Sequence, residues 1–238
     1  MDNSPILYLI PVNLSDAPLE SVMPPFNLEV IKGLKHFIVE NVRTARRFLR
    51  RCSRDIDIDC LSFSELNVNT DPSAVESLLE PMERGECIGV MSEAGCPGVA
   101  DPGALAVAAA QRKGWRVVPL TGPSSILLGL MASGFNGQGF AFHGYLPIDA
   151  GERERRIRAL EADSRRTGMT HIFIETPYRN DKLLDALAGV LSPDTLVCVA
   201  SAITDPQHES ILTLPAKKWR KRTVSYHKIP TVFLISAK

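Results

Sequence analysis

The amino-acid sequence predicts an α/β fold in which a mostly parallel sheet comes first and a mixed sheet follows. In the first half, short apolar β-branched runs alternate with longer segments of helical period, the pattern of strands joined by crossover helices. Towards the end, strand-like runs follow one another with little helix between them, which favours antiparallel or mixed pairing. The length of 238 residues allows one large domain or two small ones.

The elements of the first half are marked by local sequence. Asp71-Pro72-Ser73 offers a cap and a first-turn proline to one helix, and Pro123-Ser124 opens another that Gly134 closes. The predicted strands are Ile6–Val12, His36–Glu40, Ile56–Phe63, Cys87–Met91 and Trp115–Leu120, and the predicted helices lie near residues 27–35, 42–52, 73–84, 103–112 and 124–133.

The second half contains both helical and strand-like segments. It follows the glycine-rich stretch Gly134–Gly139, the best hinge or linker candidate because several of its residues tolerate positive φ. The charged segment Glu152–Ala162 and the segment Tyr178–Val190 have helical period. The predicted strands are Phe140–Tyr145, Met169–Glu175, Thr195–Ala200, Ser210–Leu214 and Thr231–Ala237.

Composition excludes several classes of protein. Basic and acidic residues balance at 27 each, so no strong global field attracts nucleic acid or membranes. The longest apolar runs are strand-length and too short to span a bilayer. The five cysteines contain no CxxC pair, which argues against a disulfide framework and a zinc site. Because the N-terminus also lacks a basic signal-peptide region, we expect a cytoplasmic protein without metal or membrane contact.

Two loops are candidates for a ligand site. Ser92–Gly103 lies between a buried-looking strand and a helix, and Thr121–Ser125 again follows a strand and opens a helix. Ligands of open α/β sheets bind at the carboxyl ends of strands, where glycines bring main-chain groups close to them. The chain has neither a GxGxxG fingerprint nor a phosphate-binding P-loop. We therefore predict a different ligand loop, although a structural connection and a simple helix cap are the alternatives.

These loops, together with two later segments, resemble the tetrapyrrole methylase superfamily and most closely its ribosomal RNA small subunit methyltransferase I branch, over nearly the whole chain. The branch motif SDAGTPxxSDPG is matched by Ser92–Gly103, PGPSA by Thr121–Ser125, FxGFLP by Phe142–Pro147, and FYExPxR by Phe173–Arg179.

The resemblance implies a methyltransferase that uses S-adenosylmethionine. It implies two α/β domains of the tetrapyrrole methylase type, residues 1–122 and 123–238, with the cofactor in the cleft between them, and a homodimer. The cofactor-binding positions that it implies are Pro11, Ser92, Gly95, Cys96, Val99, Ala100, Ser124, Ser125, Phe173, Ala202 and Pro230.

Two acidic residues are candidates for the chemistry. A ribose hydroxyl is a poor nucleophile while protonated, so a general base helps methyl transfer to it. Glu40, at the end of a predicted strand, is the first candidate and Glu93 is the second; a surface ion pair or a helix cap is the alternative for each. Glu175 is expected instead to pair with Arg179, four residues on.

Basic residues favour RNA as the methyl acceptor, whereas altered motifs leave other acceptors open. The branch segment AEDTR reads here Val39–Arg43, with Asn41 in place of the aspartate. Two alternatives to methylation of ribosomal RNA therefore stay open. The acceptor is a tetrapyrrole or another small molecule, or the protein binds RNA without catalysis. In the segment Lys217–Arg222, Trp219 is expected to stack on a base. On helix 42–52 the predicted contacts to RNA phosphates, at helical spacing, are Arg43, Arg46, Arg47 and Arg50.

Overall fold

The computed structural model describes residues 4–238, and the chain divides into two compact units, one ending at Ser124 and the other spanning Ser125–Lys238. Each unit is built around its own five-stranded sheet, so the predicted α/β fold class is confirmed. The stretch Gly134–Gly139 lies inside the second unit, and the prediction that it is the linker is wrong. Met1–Asn3, on which the signal-peptide argument partly rests, lie outside the described residues.

The first unit has an all-parallel sheet in the order β3-β2-β4-β1-β5. The connection from β1 to β2 and the connection from β4 to β5 run in opposite directions across the sheet. The loops after the neighbouring strands β1 and β4 therefore meet at a topological switch point. The strands are β1 (Ile6–Ile10), β2 (His36–Val39), β3 (Ser62–Glu65), β4 (Ile88–Met91) and β5 (Arg116–Pro119), and the helices are α1 (Pro25–Gly33), α2 (Val42–Cys52), α3 (Glu80–Glu83) and α4 (Gly103–Arg112).

Both faces of this sheet are covered. Phe48 and Leu49 of α2 pack with Phe37 in one core, and Ala106 and Ala110 of α4 belong to the core on the other face. Burial on both faces explains why the inner strands β2, β4 and β1 are nearly continuous apolar runs rather than alternating ones.

Two predicted elements of this unit differ from the structure. Residues 56–61 are not strand, because the Asp57 carboxylate accepts a hydrogen bond from the Asp59 N–H and closes a 3-10 turn. The helix expected near 73–84 is two 3-10 turns followed by the short helix α3. Pro81 explains part of this, because proline lacks an N–H group to continue a preceding helix.

The second unit has a mixed sheet in the order β6-β7-β10-β8-β9, in which β6 and β7 are parallel and the other neighbours antiparallel. Its core contains Phe173 and Phe233, whose stacked rings lie 6.3 Å apart. The strands are β6 (Phe140–Tyr145), β7 (Thr170–Ile174), β8 (Leu196–Ser201), β9 (Ser210–Pro215) and β10 (Thr231–Ser236), and the helices are α5 (Ser125–Ser133), α6 (Ala150–Thr167), α7 (Asn180–Val190) and α8 (Ala216–Trp219). Within residues 4–238, none of the helices combines the length and apolar character that a bilayer crossing demands.

Candidate functional site

Three loops of the first unit are held together at the carboxyl edge of its sheet. The loop after β1 is joined to the loop after β4 by a pair of hydrogen bonds between Val12 and Gly95, each 2.8 Å from N to O. The loop after β5 lies against the first of these, since a Cβ at Gly122 would be 2.2 Å from Pro11 Cγ. Cys96 Sγ is 3.5 Å from the Pro123 carbonyl oxygen. The two loops selected from the sequence therefore converge.

Asp101 organises the loop Ser92–Gly103 from within. Its Oδ1 accepts hydrogen bonds from the N–H groups of Gly98 at 2.9 Å and Gly103 at 2.7 Å. Gly98 has φ +83°, a left-handed conformation that favours glycine, and Ala100 at φ +63° is strained there. Asp101 Oδ2 is buried and has no hydrogen-bond partner among the described residues. The loop is thus held in one conformation and keeps a buried carboxylate oxygen for a cation or a donor.

The structure assigns Gly95 a different use of its main chain from the one expected. Its N–H and C=O both bond to Val12, so they join two loops rather than face a ligand. The Cys96 thiol has a raised pKa because it is desolvated by burial and lies near the negative charge of Asp101. This thiol stays protonated at neutral pH, which fits the absence of an activating histidine near it in the sequence.

The two candidate carboxylates lie side by side at the ends of neighbouring strands. Glu40 follows β2, and its Oε1 accepts a hydrogen bond from the Glu93 N–H at 2.9 Å. Glu93 follows β4, and its own Oε1 accepts from Thr44 Oγ1 at 2.5 Å. Burial raises the pKa of Glu40, the Glu93 N–H opposes this rise, and the charges of Asp101 and Glu93 add to it. Glu40 therefore takes up a proton more readily than an ordinary glutamate.

Thr44 and Asn41 show how α2 is fixed beside these carboxylates. Asn41 is the N-cap, and its Oδ1 accepts from the N–H groups of Arg43 at 2.9 Å and Thr44 at 3.3 Å. Asparagine caps a helix about as well as aspartate, so the changed motif keeps this end of α2. Sequence reasoning missed Thr44, because its contact with Glu93 joins segments far apart in the chain.

The four arginines predicted on α2 all lie on its exposed surface. The Arg46 guanidinium lies 5.5 Å from the centre of the Phe63 ring and 4.0 Å from Asp59. Arg43, Arg47 and Arg50 form no salt bridge with another of the described residues. These three positive charges are available to an anionic partner.

The second basic segment, Lys217–Arg222, is packed into its unit. Trp219 is only 2% exposed and donates from Nε1 to the Val197 carbonyl oxygen at 3.0 Å, so the prediction that it stacks on a base is wrong. Lys217 pairs with Asp194 at 2.6 Å. Arg222 is held by Asp185 and by Asp181, the latter at 3.8 Å. Two of the five cations of this segment, Lys217 and Arg222, are therefore paired with carboxylates.

The remaining predicted cofactor positions are distributed over both units. Ser92 is buried and Val99 is 48% exposed, while Ser124 stands directly before α5, which begins at Ser125. In the second unit, the Ala202 N–H donates to the Pro230 carbonyl oxygen at 2.9 Å, which brings these two positions together.

The motif Phe173–Arg179 supplies structure to the second unit. The Phe173 side chain is fully buried in the core. Glu175 Oε1 accepts from Arg179 Nε at 3.0 Å and Nη2 at 2.6 Å, which confirms the predicted pair. No group of three His, Cys, Asp or Glu side chains among residues 4–238 is arranged to hold a metal ion.

Comparisons with known proteins find several relatives that share one name. The chain is 32% identical over 203 residues to a ribosomal RNA small subunit methyltransferase I from Mesorhizobium japonicum, a match that covers 84% of this chain and 64% of the relative. It is 30% identical over 209 residues to the protein of that name from Bacillus subtilis, with 87% and 66% covered. A relative of the same name from Borrelia garinii is 27% identical over 234 residues, with 97% of both chains covered. The chain thus spans a little under two thirds of the length of the first two relatives. No family model matches it.

Solved structures with a similar fold are methyltransferases of cobalamin and uroporphyrin chemistry. The methyltransferase CobJ superposes with a TM-score of 0.63 at 18% identity, covering 98% of this chain and 94% of its own. Cobalt precorrin-4 methyltransferase gives a TM-score of 0.59 at 15% identity, with 97% and 94% covered. At these identities the likeness concerns the fold.

Proposed function

We propose that this chain, a relative of the ribosomal RNA small subunit methyltransferase I proteins with the tetrapyrrole methylase fold, transfers a methyl group from S-adenosylmethionine to a ribose hydroxyl of small-subunit ribosomal RNA. One observation carries the proposal. Thr44 of α2 binds the carboxylate of Glu93, so the acidic pair at the sheet edge and the helix with the unpaired arginines form one continuous surface. A proton acceptor and an RNA-phosphate contact surface are therefore adjacent.

The residues present suit the proposed cofactor. S-adenosylmethionine supplies a methyl group on a positively charged sulfur, and it also carries an ammonium group. Asp101 Oδ2 is buried and has no partner among the described residues, and as a carboxylate oxygen it can accept a hydrogen bond from such a cation. In the first unit we assign the cofactor contacts to the converging loops, at Pro11, Ser92, Cys96, Val99, Ala100 and Ser124. Ser125, Ala202 and Pro230 in the second unit stay predictions.

We assign the acceptance of the hydroxyl proton to Glu40. Its raised pKa makes it a better base at neutral pH than an ordinary carboxylate, and its strand-end position fixes it against the Glu93 N–H. Glu93 accepts a hydrogen bond from Thr44 and is exposed. We assign it to orienting the ribose hydroxyl. Arg43, Arg47 and Arg50 bind phosphates of the RNA strand.

A labelled-methyl assay tests the proposal. The purified chain, S-adenosylmethionine and small ribosomal subunits should give RNA that mass spectrometry shows to carry one additional 2′-O-methyl ribose. Glu40→Gln should lower kcat by about 10²–10⁴-fold, the usual contribution of a general base, with cofactor binding by calorimetry unchanged. Glu20→Gln, an exposed glutamate of the same unit, is the matched control and should leave kcat unchanged.

The alternatives give different results in the same assay. A small-molecule methyltransferase would bind the cofactor and leave RNA unmethylated. A non-catalytic RNA-binding protein would bind RNA and show no turnover with any acceptor. Full activity of Glu40→Gln would remove Glu40 from the chemistry while keeping the RNA assignment.

We further propose a homodimer in the cytoplasm, as the family resemblance implies. Light scattering of the purified chain measures its oligomeric state, and fractionation of cells that produce the chain measures its location.

A further inference from the structure

An exposed aromatic side chain of the second unit is not among the site residues predicted from the sequence. Tyr178 stands between β7 and α7 and is 68% exposed. Its ring meets the His227 imidazole edge-on, with the ring centres 5.7 Å apart. The Lys228 ammonium lies 5.9 Å from the centre of the same ring. The three side chains together form a surface that we call the Tyr178 platform.

The two loops that carry the platform are fastened to each other. The Lys228 N–H donates to the Pro177 carbonyl oxygen at 2.9 Å. Asn180, fully buried at the start of α7, donates from Nδ2 to the carbonyl oxygens of Tyr226 at 3.2 Å and Ile229 at 2.6 Å. Lys228 has φ +64°, a conformation that costs a non-glycine residue energy and persists only where its surroundings enforce it. The platform is therefore preorganised.

Its charge is positive because the neighbouring carboxylates are occupied. Glu175 is bound by Arg179. Asp181 accepts from Ser225 Oγ at 2.6 Å and lies beside Arg222. The Lys228 ammonium is thus the exposed charge at the ring, and an exposed aromatic face beside a cation suits a nucleobase and its phosphate.

We infer that the Tyr178 platform stacks an unpaired base of the RNA strand, while Lys228 contacts the adjoining phosphate. This inference rests on the proposed function and adds to it a base-binding position in the second unit. It supplies the stacking contact that the buried Trp219 cannot make.

The test is a fluorescence-anisotropy titration of the full chain with a labelled single-stranded oligonucleotide from small-subunit ribosomal RNA. Tyr178→Ala should weaken binding by about tenfold, within the range expected when one stacking aromatic is removed, and Tyr178→Phe should restore it. Lys228→Gln should reduce the slope of log Kd against log salt by about 0.7, the value for one phosphate on a single strand. The control is Phe140→Ala, which removes an exposed aromatic at the amino end of β6, whereas Tyr178 follows the carboxyl end of the parallel strand β7. This control should have no effect on RNA binding.

Several results would overturn the inference. Wild-type affinity in a folded Tyr178→Ala protein would remove the platform from RNA binding and leave the methyltransferase proposal intact. An equal loss in Phe140→Ala would mark a nonspecific apolar effect. Unchanged RNA affinity with loss of a co-purifying ribosomal protein would make the platform a protein contact. If the wild-type chain binds no RNA, the proposed acceptor fails together with the platform.

Discussion

The two basic segments of the chain, α2 in the first unit and Lys217–Arg222 in the second, use their charges in different ways. On α2, Ala45, Phe48 and Leu49 lie on the buried face, and the arginines lie on the other. In the second segment, the helix α8 is only four residues long, and its last residue, Trp219, is buried in the core. On α2, helical spacing separates the positive charges from the apolar residues that anchor the helix, so a whole row of arginines lies on its exposed face.

The largest effect that tests this comparison is a loss of stability. Trp219→Ala should lower the free energy of unfolding by about 3–5 kcal/mol, because it empties a core site and removes the hydrogen bond to Val197. Arg47→Gln on the exposed face of α2 should change it by no more than about 0.5 kcal/mol. Urea denaturation measures both. A loss below about 1 kcal/mol for Trp219→Ala would mean that the second segment is not anchored as described.

The next effect is on RNA affinity. Replacing Arg43, Arg47 and Arg50 together by glutamine should weaken RNA binding and lower the salt slope by about 2 to 3, since each phosphate contact contributes about 0.7–0.9. Binding measured at several salt concentrations gives both quantities. The matched control removes three cations of the same unit that already pair with glutamates, namely Arg84, Arg112 and Lys113. An equal change in slope for the control would show that net charge, rather than the α2 surface, governs binding.

The smallest effect is an acid dependence of stability that arises from Asp181, the α7 carboxylate beside Arg222 of the second segment. Burial acts to raise the pKa of Asp181, but hydrogen bonds from Ser225 and the Tyr226 N–H, with the charge of Arg222, lower it overall. A lowered pKa in the folded state means that the ionised carboxylate stabilises the protein at neutral pH. This stabilisation is lost as the pH falls below about 4, the ordinary value of an unfolded aspartate, and through the lower folded value.

Unfolding measured from pH 6 to pH 2 checks this dependence. Asp181→Asn should be less stable than the wild type at pH 6 and should approach it in acid. Parallel curves for the two proteins would contradict a lowered pKa. Asp16→Asn, an exposed carboxylate near the end of α2, serves as the control.

Much of the fold and part of the site could be predicted from local sequence. The Glu175–Arg179 pair was predictable from its spacing of four residues, which brings side chains together on a helix and, in this protein, in the turn before α7. The loop Ser92–Gly103 was recognisable from its glycines and prolines. The helix expected near 73–84 was not correctly predicted, because its apolar spacing outweighed the interruption at Pro81.

The sequence alone determined the alternation of strands and helices, the two glycine- and proline-containing loops after β4 and β5, and the face of α2 that carries arginines. These depend on backbone preferences and on spacings within a few residues. Only the tertiary structure decided that Thr44 binds Glu93, that Trp219 is buried and that Tyr178 is exposed beside Lys228. Burial and pairing depend on which distant segments meet, and only after these contacts form is it fixed which charges and rings remain available to a partner.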